Sequence, residues 1–244
     1  NYVMNISGGK AKFNISVKPT EEFPFLPQIV KNNSITISQF SLKEVIRQTV
    51  FSISDNENTK LMTGELFEVK DDQLSVVSLD GHRISIRHIE LKDHYDPFKV
   101  VVPGKTLQEI VKIISGEMDE TVSIYVTSKH ILFEFDNTRV VSRLLEGEYY
   151  KISQMLSSDY ETKITINKKE FLNCIDRASL LIRESDKKPI IIDITDHSLK
   201  LNINSFFGSM EEEILIQKEG RDLLIGFNPC LLYTSPSPRD VEES

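Results

Sequence analysis

At 244 residues, with 39% apolar and 27% charged side chains, the chain has the make-up of a globular protein of one large or two ordinary domains. No apolar run approaches the roughly 18 residues of a membrane span, no basic start leads into an apolar core as in a signal peptide, and two cysteines, Cys174 and Cys230, are too few for a disulfide framework or a zinc site. A reduced, cytoplasmic protein is expected, and the net charge of −8 argues, taken as a whole, against a nucleic-acid binder.

Strand signals dominate in chain order: KFNISV (12–17), NSITIS (33–38), GELFEV (64–69), QLSVVSL (73–79), RISIRHIEL (83–91), KVVVP (99–103), TVSIYV (121–126), HILFEF (130–135), RVVSRLL (139–145), TKITIN (162–167), PIIIDI (189–194), LKLNIN (199–204) and EEEILIQ (211–217). Most are bounded by Asp, Asn, Gly or Ser clusters. Three segments carry helical spacing instead. In 41–54, Leu42, Val45, Ile46, Thr49, Val50 and Ile53 form the stripe, and Ser41 with Glu44 predicts a capping box. In 104–115 the stripe is Leu107, Ile110, Val111 and Ile114, just after Pro103. In 167–183 it is Phe171, Cys174, Ile175, Ala178 and Ile182, with Asn167 and Glu170 as a second capping box.

The chain repeats itself. ITISQFSLKEVIRQTVFSIS from Ile35 matches ITINKKEFLNCIDRASLLIR from Ile164, DQLSVVSLDG (72–81) matches HSLKLNINSF (197–206), and EEFPFLPQI (21–29) matches GEYYKISQM (147–155). A repeat this long implies duplicated domains, not a short-unit solenoid. Residues 1–32 read as the end of one copy, 33–158 as a whole copy and 159–229 as a truncated one; the start without Met, in mid-pattern, suggests a fragment. Residues 230–244, with two Ser-Pro pairs and no apolar period, read as disordered or non-native.

Charge is unevenly placed. The three helical segments hold eight basic and four acidic residues, a surplus of four on a chain of −8. Lys43 and Arg47, Lys105 and Lys112, and Lys169 and Arg177 each share a face off the apolar stripe. Such faces suit a polyanion held on one side of an acidic protein, or are ordinary solvated helix surface.

The stretch Asp80-Gly81-His82-Arg83 lies between two strands. It reads as an acid–base pair of Asp80 and His82, or as a turn that presents side chains to a partner. Gly81 favours the turn. There is no HExxH, no GxSxG and no Gly-rich phosphate loop, and the remaining histidines, His88, His94, His130 and His197, are scattered.

Four stretches in register carry a family resemblance: FEVKDDQLSVVSLDGHRISI, VVVPGKTLQEIVKII, VVSRLLEGEYYKISQML and LLIGFNP. Together they resemble the bacterial DNA polymerase III beta subunit, the DNA sliding clamp, over residues 1–229. The resemblance implies an α+β fold of repeated clamp domains, with antiparallel sheets outside and two helices per domain inside. It implies a head-to-tail homodimeric ring around duplex DNA, held without base reading, with no chemistry and no cofactor of its own. Polymerase and clamp-loader subunits would dock short hydrophobic peptides in a pocket. Carried over position by position, that pocket takes Met62, Leu79, Gly81, His82, Arg83 and Ile84, with Tyr150, Gln154 and Met155. Methionines suit a wall that adapts to several partners, and His82 and Arg83 would supply polar edges. The chain departs from the family in having Tyr150 where Pro is usual and Gln154 where a basic residue is usual, and LLIGFNP is not followed by the family's later strands. Lys105 matches a basic family position that faces DNA, and Asn56 a polar loop position. Lys43, Arg47, Lys112, Lys169 and Arg177 join them from helix geometry. The rival expectation is a β-rich interaction scaffold that never meets DNA.

Overall fold

The computed structural model describes residues 2–23, 27–31, 33–156, 159–182, 188–228 and 231–232. Apart from residues 231 and 232, the expected tail at 230–244 lies outside the described residues, as does Arg183.

The chain opens with a hairpin of β1 (Tyr2–Gly8) and β2 (Ala11–Val17). Its register pairs Tyr2 with Val17, Met4 with Ile15 and Ile6 with Phe13, so these apolar residues share one face. β1 escapes the sequence reading, although Gly8-Gly9 is a hairpin signal.

The central unit begins with β3 (Asn33–Ser38), which runs directly into α1 (Gln39–Arg47). The expected cap is displaced by one turn: Ser38, still extended at φ −65° and ψ 148°, accepts a hydrogen bond from the Ser41 amide. The helix also ends sooner than its stripe suggests. Past Arg47 the chain tightens into a 3-10 turn at Val50–Ser52, where a period of three keeps Val50 on the apolar side. A second 3-10 segment, Glu57–Thr63, leads to β4 (Gly64–Leu79) and β5 (Ile84–Pro103).

Both spans turn back on themselves about the breaks expected at 70–72 and 92–98: Glu65 and Ser78 both bond Thr49, and Leu66 and Val77, like Ile86 and Val101, share one cluster, which an uninterrupted strand of that length does not allow. The return in β4 centres on Asp71, which takes a left-handed φ of +57° and on both sides of which the pairing with β5 shifts register. It brings Phe67 and Val69 before it and Leu74 and Val76 after it into one core.

α2 (Gly104–Ile113) follows Pro103 without a break, and β6 (Thr121–Val126), β7 (His130–Phe135) and β8 (Thr138–Arg143) complete an antiparallel sheet of order β3-β6-β7-β8. Leu42, Val45 and Ile46 of α1 and Leu107 and Ile110 of α2 meet Ile35, Ile124, Ile131 and Phe133 of that sheet and Phe67 of β4 in one buried core.

A second core sits under β9 (Thr162–Ile166), α3 (Lys168–Ser179), β10 (Ile190–Ile194), β11 (Ser198–Ser205), β12 (Gly208–Gly220) and β13 (Leu223–Phe227). These strands form a five-stranded antiparallel sheet of order β13-β10-β11-β12-β9. Cys174, Ile175 and Ala178 of α3 press on Ile190, Ile192, Leu199, Leu201 and Ile203. Asn167 caps α3 through the Glu170 amide at 3.1 Å, where the sequence placed it. No described helix is long and apolar enough to cross a membrane.

Candidate functional site

Asp80-Gly81-His82-Arg83 closes the tight hairpin between β4 and β5. Asp80 Oδ1 accepts from the backbone amides of His82 at 2.9 Å and Arg83 at 3.1 Å. Its other oxygen takes the Arg83 Nε at 2.9 Å. Gly81 has φ +91°, and a Cβ there would meet nothing within 4 Å, so backbone conformation and not space calls for glycine. Asp80 therefore serves the turn, and its hydrogen bond to His82 is to the amide. Arg83 is half-buried: Nη2 donates to the Phe51 carbonyl at 2.6 Å, and the guanidinium lies 5.2 Å from the centre of the Phe51 ring.

The face of the β4–β5 sheet turned away from the helices carries a separate apolar cluster. Leu66, Val77, Leu79, Val101 and Tyr149 are buried in it, and Leu61, Met62, Ile84, Ile86, Leu145, Tyr150 and Ile152 pack partly buried around them. Leu79 pairs with Ile84 and Val77 with Ile86 across the strands, which puts all four on this face. Of the residues expected to form a pocket, Met62, Leu79, Ile84 and Tyr150 are thus brought together. Gly81 and His82 are exposed at the turn beside them. Gln154 and Met155 stay outside the cluster, on and just after a 3-10 turn at Ile152–Gln154, with Met155 49% exposed. Ile86 was legible as the next same-face residue after Ile84; Leu61 and Ile152 sit in 3-10 segments, whose short runs leave no period to read.

Beneath the cluster, on the helix side, lies a buried polar group. Thr49 Oγ1 shares its one hydrogen between the Val45 carbonyl at 2.7 Å and Glu65 Oε2 at 3.1 Å, and Ser78 Oγ donates to the Thr49 carbonyl at 2.5 Å. Glu65 Oε1 and Ser52 Oγ are buried without a hydrogen-bond partner among the described residues. Burial holds the Glu65 carboxyl well above the ordinary carboxylate range, against a smaller opposite pull from the Thr49 hydroxyl. Burial, and next the nearby Glu65, also raises the Tyr149 phenol.

The basic residues expected to face a polyanion differ in how committed they are. Lys105 and Lys169 are exposed and make no ion pair among the described residues. Lys112 is exposed beside Glu109 at 2.7 Å, and Arg47 beside Glu44 at 3.4 Å. Arg177 grips Glu212 of β12 through both Nε and Nη2. Lys43 is half-buried, with Nζ 3.3 Å from the Ile114 carbonyl and 3.4 Å from that of Ser115, so it caps the end of α2. Asn56 is exposed and caps the segment Glu57–Thr63 by accepting from the Asn58 amide at 3.0 Å.

Antiparallel sheets over capped, mildly basic helices, repeated along one chain and carrying an outward apolar cluster, define a clamp-type α+β protein. The central domain model of the DNA polymerase III beta subunit matches residues 36–151, and the C-terminal domain model matches 153–234. The chain belongs to the DNA polymerase III beta subunit family. It is 35% identical over 240 residues to the beta sliding clamp of Staphylococcus epidermidis, covering 98% of this chain and 63% of that protein. A crystal structure from Eubacterium rectale, solved as a candidate DNA polymerase III beta subunit, is 64% identical with a TM-score of 0.89, over 95% of this chain and 63% of the other. The DNA polymerase sliding clamp of Bacillus subtilis is 36% identical with a TM-score of 0.88, over 96% and 62%. The chain thus spans less than two thirds of the length of these relatives.

Proposed function

We propose that this chain is the working middle of a DNA sliding clamp, the processivity factor of a replicative DNA polymerase. In its full-length form the protein closes as a homodimeric ring around duplex DNA in the cytoplasm, carries out no catalysis and tethers polymerase and clamp-loader subunits. On this reading 1–32 ends a first clamp domain, 33–158 is a complete second and 159–229 is most of a third.

The observation that carries the reading is the convergence of Met62, Leu79, Ile84 and Tyr150 on one apolar face, opposite the face that packs on α1 and α2. It suits the hydrophobic side chains of a short linear peptide, with Gly81, His82, Arg83, Gln154 and Met155 at its margins. Exposed Lys105, Lys112, Arg47 and Lys169, with Asn56 in the adjoining loop, support weak contacts to phosphates. Such contacts are independent of sequence and screened by salt, as sliding requires. Arg177 and Lys43 fit that face less well, since both serve contacts within the chain.

Two measurements test this. Reversing Lys105, Lys112 and Arg47 to Glu in the full-length protein lowers the salt-dependent retention of the loaded ring on closed circular DNA, and the salt slope falls by about 0.9 for each phosphate that is no longer neutralised. Unchanged retention makes the chain a protein scaffold with solvated helix faces. Met62→Asp with Ile84→Asp abolishes binding of a fluorescein-labelled short hydrophobic peptide, and unaltered affinity removes the pocket.

A further inference from the structure

The segment that leaves α1 gives up three backbone carbonyls to one hairpin. The Gln48 carbonyl accepts from Ser85 Oγ at 2.6 Å, that of Thr49 from Ser78 Oγ at 2.5 Å, and that of Phe51 from Arg83 Nη2 at 2.6 Å. Ser78 and Ser85 are cross-strand partners, one step behind the pair Leu79 and Ile84. Side chains alternate between faces along a strand, so the serines reach back toward α1 while Leu79 and Ile84 face the apolar cluster. The same segment also holds the other wall of that cluster: the Ser54 amide donates to the Met62 carbonyl at 2.8 Å. Both walls are therefore referenced to residues 48–54.

The second unit shows that the hairpin does not need these donors to form. Aligning Leu74 with Leu199 puts Ile203, Gly208 and Met210 at the places of Ser78, Arg83 and Ser85. Ile203 and Met210 pair across β11 and β12 as Ser78 and Ser85 do across β4 and β5. Of the two units, the one that carries the apolar cluster is the one that carries the three donors.

We propose that Ser78, Arg83 and Ser85 are positioning residues of the peptide pocket, fixing the distance of the Leu79–Ile84 turn from Met62 through the carbonyls of Gln48, Thr49 and Phe51. The assignment rests on the pocket reading above. Arg83 then acts mainly by holding the turn: its fork spans Asp80 and Phe51, and the bond to the carbonyl is charge-assisted. A lysine cannot make both contacts with the same planar geometry.

The test uses the same labelled peptide and fluorescence anisotropy, with thermal unfolding followed in parallel. Ser85→Ala and Arg83→Lys each weaken binding about 5- to 10-fold, and Ser85→Thr restores it. The decisive readout is a cycle with Met62→Ala: once Met62 is cut back, the spacing of the walls has nothing to set, and Ser85→Ala costs about 2-fold or less. Full additivity with Met62→Ala, or wild-type affinity in both Ser85→Ala and Arg83→Lys, overturns the assignment while leaving the pocket in place. Failure of the unaltered protein to bind the peptide removes the pocket and the assignment with it.

Discussion

The two repeated units answer one structural question with opposite chemistry. Aligned on their helices and strands, Thr49, Glu65 and Ser78 of the central unit stand where Ala178, Ile190 and Ile203 stand in the next. All six are buried. One unit thus keeps a carboxyl and two hydroxyls at a place where the other shows that an apolar trio suffices. An acid buried to this degree costs stability even when neutral, because hydrogen bonding only partly replaces water and Glu65 Oε1 has no partner among the described residues. The polar trio sits directly behind the Leu79–Ile84 turn, and Ser78 makes one of the bonds that hold that turn. The polar trio stands in the unit that carries the outward apolar cluster, and the apolar trio at the equivalent place in the other.

The largest effect expected on this contrast comes from emptying each core at equivalent positions. Phe67 and Ile192 correspond in the repeat and both are buried. Phe67→Ala costs about 3–5 kcal/mol, because α1, α2 and two sheets surround the cavity and resist collapse. Ile192→Ala lies near the lower end of the roughly 2–5 kcal/mol range, since among the described residues the helical cover of its sheet is α3 and the short piece at Leu231 and Leu232, which can settle inward. Urea unfolding of both variants measures the difference, and equal losses would mean that the two cores are equally closed.

Next in size is the pH dependence that Glu65 imposes on the central unit alone. Its carboxyl is held protonated in the folded state above the ordinary value of 4.5. Below that value folded and unfolded chains are both neutral there, and the contribution is fully present. As pH rises, the unfolded chain ionises first, so stability falls with a slope of up to about 1.4 kcal/mol per pH unit until the folded carboxyl also ionises. Glu65→Gln flattens that slope and leaves the protein more stable than wild type at neutral pH. Unfolding midpoints at a series of pH values on either side of the ordinary carboxyl value read it directly, and parallel profiles for the two proteins would contradict the burial of the acid.

Much of this was legible in the residues, for reasons that also mark where reading fails. Ser and Asn before apolar stripes announced both capped helices, yet Ser38 and Ser41 are equally good caps one turn apart, and only the extended backbone of Ser38 decides between them. The stripe of α1 ran on past its end because a 3-10 turn keeps a spacing of three. Met62, Leu79, Ile84 and Tyr150 could be grouped by family resemblance, since no local period joins residues so far apart in sequence. Ser78 and Ser85 alternate with apolar neighbours and so read as solvent-facing, while their hydroxyls turn inward to carbonyls that sequence does not display.

A smaller effect tests how far the units are alike. Ser38 and Asn167 correspond and cap their helices through the same bond, to the amide three residues on. Ser38→Ala and Asn167→Ala should each cost about 1 kcal/mol. Unequal losses would show that one helix leans on its cap more than the other.

The smallest effect separates two jobs for one lysine. Lys43 corresponds to Leu172 in the repeat. In the central unit a second helix ends within reach, and the ammonium sits on the carbonyls of Ile114 and Ser115, where the negative end of α2 favours a cation. In the second unit the uncharged Leu172 stands at this place. Lys43→Met keeps most of the side-chain stem and removes the charge. The central unit then loses about 0.3–1 kcal/mol, the range for a cation at a helix end. On the proposed clamp reading, retention of the full-length protein on closed circular DNA should fall less than for Lys105→Met, whose wild-type ammonium makes no ion pair among the described residues. If Lys43→Met and Lys105→Met weaken retention equally and stability does not move, Lys43 belongs to the surface that meets phosphate and not to the end of α2.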